Sequence, residues 1–382
     1  MSPETAGYLQ RLQPLLSMPR ETVPQLTVEE TRSSLRWAAE SLGLELVEIK
    51  NIAPTFLLLP PAGRDPDVLL FGTWHAEALP VDPAAVEGAE RLALSTTLAG
   101  LGRAPEATAA ILVAPGATQG SLMLAQALRE HRARLRARVA FWPRIAPRAP
   151  RRRRVFLGAR GRVVLGVWEA GVNPYRIRDR IVEELKGEAY GPRPLDFELL
   201  RKLGENRDAL DFLEETLEAP GAGTGEGEAR LRGALFEPRG QVVKPQVSHP
   251  DRPQAWLILD ISENADPDEL LERARRYAEG SRIEMAEGFP WDRISIHHPS
   301  IQAEIKLTKS VSEGPEIWPA APWLTPSGVF TRALGLPLAE WGVPVHPGVA
   351  VRFPKPEDFE ALAREVEGLI RGALAEAAER AG

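Results

Sequence analysis

The sequence predicts an α/β fold: a mostly parallel, mixed sheet with helices on both faces, interrupted by an inserted ferredoxin-like α+β unit. Three observations predict it. In the first part of the chain, unbroken apolar runs alternate with helical patterns, as expected for strands covered on both sides. The middle follows the order β-α-β-β-α-β, and the last part returns to the style of the first.

The elements follow in order. Thr27 and Glu30 have capping-box spacing for a helix carrying Leu35, Trp37 and Ala38, which Gly43 closes before the strand-like "LELVEIK". "DVLLFGTWH" is a continuous apolar run that suits a strand covered on both faces. "AAILVAPGATQGSLMLAQALREH" reads as strand, glycine loop and helix, and "ARVAFW" as another strand. In the middle, "GRVVLGVWEA" is strand-like. Asn173-Pro174 then starts a helix through about Lys186, with the proline at the first helical position, where its missing N–H is not needed. "EAPGAGTGEGEA" has the composition of a loop. "LRGALFEP", "QVVKPQV" and "AWLILDIS" alternate like strands, Asp266-Pro267 with Glu269 starts a helix to about Gly280, and "RIEMAEGF" closes the unit. The closing part contains "GVFTRALGLPLAEWGVPV" and an amphipathic helix with Phe359, Leu362, Val366, Leu369 and Ala373 at three-to-four spacing. The expected division is a discontinuous α/β domain, 1–164 and 313–382, around an inserted lid, 165–312. No internal repeat is visible.

Composition narrows the chemistry. With 382 residues, 43% hydrophobic, the chain can bury a large core in more than one domain. It has no cysteine, so disulfides, thiolate zinc sites and cysteine nucleophiles are excluded, and any metal would sit on His, Asp and Glu. A net charge of -6 argues against a nucleic-acid binder. No apolar run approaches the ~20 residues of a membrane span, and "MSPETAGYLQ" lacks a basic start followed by an apolar core, so a cytoplasmic protein with no membrane partner is expected. Arginine far outnumbers lysine and Asn, Gln and Met are scarce, a balance that fits a heat-adapted source and that genome base composition alone also produces.

The stretch "LLFGTWHAEALPVDP" ends an apolar run on ligand-capable side chains, the place where open α/β sheets put their chemistry. His75 and Glu77, at i and i+2, would share one face of a strand. With His346 in "WGVPVHPGVAVRF" they are the candidates for a shifted, single-metal site. Arg144, Arg148 and the "RRRR" run at Arg151 to Arg154 read as a solvated loop that could receive an anion. Trp74, Trp142, Trp318, Trp323 and Trp341 read as core rather than as cleft walls. His297 and His298 have strand-type neighbours, which would send their rings to opposite faces. "GATQGS" lacks the lysine of a phosphate-binding P-loop, and no Gly-x-Ser-x-Gly elbow marks a serine nucleophile.

Five stretches, in order along nearly the whole chain, carry a resemblance: "PDVLLFGTWHAEALPVDP", "GVNPYRIRDRIVEEL", "LILDISENADPDELLERARRY", "WPAAPWLTPSGVFTRALGLPLAEWG" and "FPKPEDFEALAREVEGLIRGAL". Together they resemble the zinc-dependent exopeptidase and aminoacylase family that includes carnosinase-type dipeptidases and succinyl-diaminopimelate desuccinylase. The resemblance implies two zinc ions on two histidines and three carboxylates, a Glu-Glu pair supplying the general base and a metal ligand, and a homodimer formed through the lid. Two cations a few ångströms apart need bridging negative charge, and the attacking water needs a base nearby.

Most of those groups are replaced here. The family's His-x-Asp falls on Thr73-Trp74-His75, and "APGATQGS" puts Thr118 or Gln119 where a bridging aspartate belongs. "VAFWPRIAP" puts Pro143 and Arg144 at the Glu-Glu position, "GVWEAGV" has no lid histidine, and Ser262 stands for the lid arginine. Two observations do not depend on register. There is no aspartate between Asp82 and Asp179, and the window from His131 to Trp168 holds twelve arginines and no carboxylate. That exchange is expected to reverse the local field and repel divalent cations. The sequence therefore predicts a degenerate member of the family, impaired in catalysis or wholly a binding or interaction protein, with no cofactor and no assignable catalytic residue. Its candidate contacts to a small amino-acid-like or anionic ligand are Thr73, Trp74, His75, Glu77, Gln119, Arg144 and His346. The alternative is an active zinc-dependent dipeptidase, carboxypeptidase or N-acyl-amino-acid deacylase on His75, Glu77 and His346.

Overall fold

The apolar runs pair into a six-stranded sheet in the order β1-β2-β4-β3-β5-β14, comprising β1 (Glu45–Ile49), β2 (Thr55–Leu59), β3 (Val68–Thr73), β4 (Ala109–Ala114), β5 (Val139–Pro143) and β14 (Leu338–Trp341). In this computed structural model the described residues are 24–49, 55–74, 83–114, 122–144, 153–168, 171–187, 193–216, 225–245, 252–261, 263, 265–279, 281–342 and 356–381. Strands β4, β3, β5 and β14 are parallel, whereas β1 and β2 form an antiparallel edge.

Side chains along β3 alternate between two cores, which is why the strand carries no polar alternation. Val68 and Leu70 join Leu35 of α1 (Pro24–Leu42), Leu94 and Leu98 of α2 (Pro83–Gly102), Ile301 of α9 (Pro299–Val311) and Leu369 of α11 (Pro356–Ala381). Leu69 and Phe71 face the other way, onto Leu128 of α3 (Leu122–Glu130) and Phe330 of α10 (Ser327–Leu334). Each such side chain removed from water stabilises the fold by roughly 1.5–3 kcal/mol before entropy is counted. Helix α1 is already under way at Thr27, so its start precedes the expected capping box. It ends as expected at Gly43, whose φ of 66° lets the Leu44 N–H donate back to the Ala39 carbonyl at 2.8 Å.

The second sheet has the order β10-β7-β9-β8, built from β7 (Gly158–Val167), β8 (Arg239–Val243), β9 (Ala255–Ile261) and β10 (Ile283–Phe289), with every neighbour antiparallel. Helices α4 (Pro174–Gly187) and α8 (Pro267–Tyr277) cover it through Ile177, Ile181, Leu185, Leu270 and Ala274. Apart from three helices inserted between α4 and β8, within 194–236, the order β7-α4-β8-β9-α8-β10 is the expected ferredoxin-like arrangement. Both expected caps form. Asn173 Oδ1 accepts from the N–H groups of Tyr175 and Arg176, at 3.0 and 3.3 Å, and Asp266 Oδ1 accepts from Asp268 and Glu269. β7 serves two partners, because its first residues pair instead with β11 (Asp292–Arg293) and β13 (Ala321–Leu324).

Two expectations are corrected. "LRGALFEP" is not a strand: Leu231 to Phe236 end the helix α7 (Gly227–Phe236). Leu231, Ala234 and Leu235 are buried at three-to-four spacing, a helical period that so short a window disguises as alternation. With α5 (Pro194–Gly204) and α6 (Arg207–Thr216), this helix forms a small three-helix layer around Trp318 and Trp323. His297 and His298 are not in a strand either. They form the turn into α9, where His298 is the N-cap and its Nδ1 accepts from the Ser300 N–H at 3.3 Å. Pro299 holds the preceding residue extended and starts the helix. Among the described residues, no helix is long and apolar enough to cross a membrane.

Candidate functional site

From β3 the chain crosses to β4 on one side, and from β5 it ultimately reaches β14 on the other, so the carboxyl ends of β3 and β5 form a topological switch point, where sheets of this kind place their ligands. The described residues there are Thr73, Trp74, Pro143 and Arg144. Thr73 is buried opposite Ala114. Trp74 packs into the core: its ring is buried edge-on to Phe56, with centroids 6.4 Å apart, in the same cluster as Leu94 and Leu98. All five tryptophans singled out from the sequence are at least 96% buried, as the core assignment expects.

Arg144 is the polar centre of this edge. Its backbone N–H donates to the Trp341 carbonyl at 2.6 Å, which fixes the chain beside β14. Its guanidinium carbon lies 3.3 Å from the Trp142 ring centroid, a stacked cation–π contact. Nη1 stands 3.7 Å from Oε2 of Glu340, and both side chains are largely buried. Glu340 also accepts from the Trp323 indole N–H at 3.1 Å. Burial pushes the Glu340 carboxyl above its ordinary range, while the Arg144 charge and the bonds from Trp323 and Thr325 pull it part of the way back. Glu340 was missed in the sequence. The signal was there: one carboxylate inside the four-residue apolar strand "LAEW", next to residues that must be covered.

Gly342 holds the partner segment close. It has φ 97°, and a Cβ there would lie 2.4 Å from the Arg144 carbonyl oxygen. Gly342→Ala is therefore expected to displace Arg144 from Trp142 and to destabilise the protein by about 1–3 kcal/mol. Urea unfolding together with the near-UV spectrum checks this; a variant with unchanged midpoint and unchanged tryptophan environment contradicts it.

His75, Glu77, Thr118, Gln119, Arg148, Arg151, Arg152, Ser262 and His346 lie outside the described residues. Among the described residues, no group of three His, Asp or Glu side chains could hold a metal ion. The described strand ends offer a hydroxyl, a proline and a permanently charged guanidinium, so they do not fit a pair of zinc ions.

The arginine-rich window needs a correction. Arg153 and Arg154 are not a solvated loop but half of β6 (Arg153–Phe156), which pairs in parallel with β12 (Pro315–Trp318). Arg153 binds Glu365 at 2.8 Å, and Arg154 binds Glu316 at 2.7 Å, all with little exposure. Arg160 and Arg162 share Asp260, and Arg134 and Arg138 reach Glu45 and Asp67. Distant segments thus supply carboxylates that the window lacks, so the window alone does not reverse the field. What survives is narrower: a cation, not a carboxylate, stands at the end of β5.

No family model matches the sequence, and neither does any curated protein. Solved structures do match. An M20 family metallo-carboxypeptidase from Sulfolobus solfataricus superposes with a TM-score of 0.72 at 14% identity, over 98% of this chain and 100% of that one. The chain has the M20 peptidase fold. The dipeptidase Dug1p from Saccharomyces cerevisiae gives 0.62 at 11% identity, covering 97% of this chain and 96% of its own. Human carnosine dipeptidase 1 gives 0.60 at 11% identity, covering 98% and 97%. The M20 fold agrees with the family resemblance read from the five sequence stretches.

Proposed function

We propose that this protein is an M20-fold chain in which the two-metal hydrolase centre has been dismantled, and that its crevice binds a small amino-acid-like or anionic ligand. The observation that supports it is Arg144, stacked on Trp142 at the end of β5 and opposed by a buried carboxylate. A guanidinium cannot ligate zinc or accept a proton from water, but it pairs well with a carboxylate. The proposal includes the division into 1–164 with 313–382 and an inserted 165–312, and a homodimer through the inserted unit.

One observation favours a second reading: the fold is shared over 98% of the chain with a metallo-carboxypeptidase. An active hydrolase would need His75, Glu77 and His346, or other residues outside the described ones, to hold the metal. Metal analysis of the purified protein separates the two. The proposal expects substoichiometric zinc and no hydrolysis of dipeptides or N-acyl amino acids. About two zinc ions per chain, lost by chelation together with such hydrolysis, would establish the second reading instead.

A further inference from the structure

Helix α10 is held on two sides. Val329, Phe330 and Ala333 face the first sheet, in the core that contains Leu69 and Phe71. Ser327, Gly328 and Arg332 meet the unit built on the second sheet instead, a division that the helical period imposes. Ser327 Oγ donates to the Asp292 carboxylate in β11 and accepts from the Leu338 N–H of β14 at 3.2 Å, so one buried hydroxyl ties the first sheet to the strand that follows β10. Gly328 sits against Pro290, the residue after β10: a Cβ at Gly328 would stand 2.1 Å from the Pro290 carbonyl oxygen, where an ordinary contact begins at 3.4 Å. Arg332 pairs with Asp266, the N-cap of α8, but both are more than a third exposed, so this ion pair contributes little beside the buried contacts.

The chain passes between the two units along β7 and again at Pro290 to Asp292, and these two crossings touch each other. A Cβ at Gly158 would lie 2.5 Å from the Asp292 carbonyl oxygen, and one at Gly161 would lie 2.8 Å from the Trp291 nitrogen. A hinge needs backbone that is free to change φ and ψ. Here rotation at either crossing drives one backbone into the other, because no side chain separates them. We infer that α10 is a clasp that fastens the two units into one body, so that the angle between the sheets is set in the free protein and does not change when a ligand arrives. The inference does not depend on what the protein binds, and a failed metal or anion test leaves it standing.

Pulsed electron–electron distance measurement on the whole chain tests it. The sequence has no cysteine, so nitroxides attach only at Glu40→Cys on α1 and Glu272→Cys on α8, both exposed positions. One narrow distance is expected, the same with excess Zn²⁺ or N-acetylglycine as without. In Gly328→Ala the added methyl pushes Pro290 away, and the distribution is expected to broaden and shift. Ser327→Ala combined with Arg332→Glu adds no bulk at the contact and is expected to broaden it as well, which keeps the test decisive if the alanine wedge prevents folding. Two distances in the otherwise unaltered labelled protein, or one that moves when either ligand is added, overturn the inference. So does an unchanged distribution in folded Gly328→Ala or in the folded double variant.

Discussion

Replacing Glu304 with leucine is expected to stabilise the protein, by an amount that grows as pH rises. Glu304 is fully buried on α9, and neither of its carboxyl oxygens has a hydrogen-bond partner. One turn to either side, the hydroxyls of Ser300 and Thr308 are buried and unpartnered as well. Burial holds the Glu304 carboxyl well above its ordinary range, and the Glu340 charge pushes the same way. Its proton is thus bound more tightly in the folded state than in the unfolded chain. For a group raised in this direction, the native state keeps its full stability below the unfolded value and loses it as pH climbs through the folded one. Leucine has nothing to titrate and no polar atom to leave unpaired. The gain is about 1–3 kcal/mol in mild acid, the scale of one unsatisfied buried polar group, and more at higher pH. Urea unfolding of both proteins across a pH series reads this directly. Parallel pH profiles, or a leucine variant less stable throughout, would show that Glu304 has partners and that α9 depends on its charge.

The opposite sign is expected at Glu316. Its two oxygens accept from Arg154 Nε at 2.7 Å, the Trp318 indole N–H at 2.9 Å and Asn206 Nδ2 at 2.8 Å, joining β6, β12 and the segment before α6. Arg154 also lies 3.7 Å over the Phe212 ring, inside the core of the three-helix layer. Glu316→Ala strands that guanidinium and two neutral donors away from water, a loss of about 3–5 kcal/mol. The double variant Arg154→Met with Glu316→Ala is expected to recover a good part of it, because removing both charges leaves no orphan. Measured unfolding free energies for the four proteins of this cycle decide the matter. Strict additivity would mean that the pair is screened and energetically idle.

These two sites mark where the sequence stops being legible. Local signals are legible. The apolar runs that became β3, β4 and β5, the caps at Asn173 and Asp266 and the ferredoxin-like order of the middle all depend on neighbours a few residues apart. The helix α7 was misread because six residues with period three to four also alternate. The arginine window was misread for a deeper reason. Arg153 meets Glu365 and Arg154 meets Glu316 only after the final helix and β12 have come back to β6, and no local window contains those partners. Arg144 follows directly on β5, as the apolar run "ARVAFW" implies, and "LAEW" marks Glu340 as a covered carboxylate, but that the two face each other is decided only when β14 takes its place beside β5. Charge neutralisation in this protein is a property of the fold rather than of any segment.

The central claim is that the crevice beyond β3 and β5 has exchanged metal chemistry for anion binding around Arg144. Crystals grown with excess Zn²⁺ and measured at the zinc absorption edge test it most directly. The account predicts no paired anomalous peaks in that crevice, with the Arg144 guanidinium still stacked on Trp142. Two well-occupied peaks a few ångströms apart, ligated by this chain's histidines and carboxylates, would contradict it.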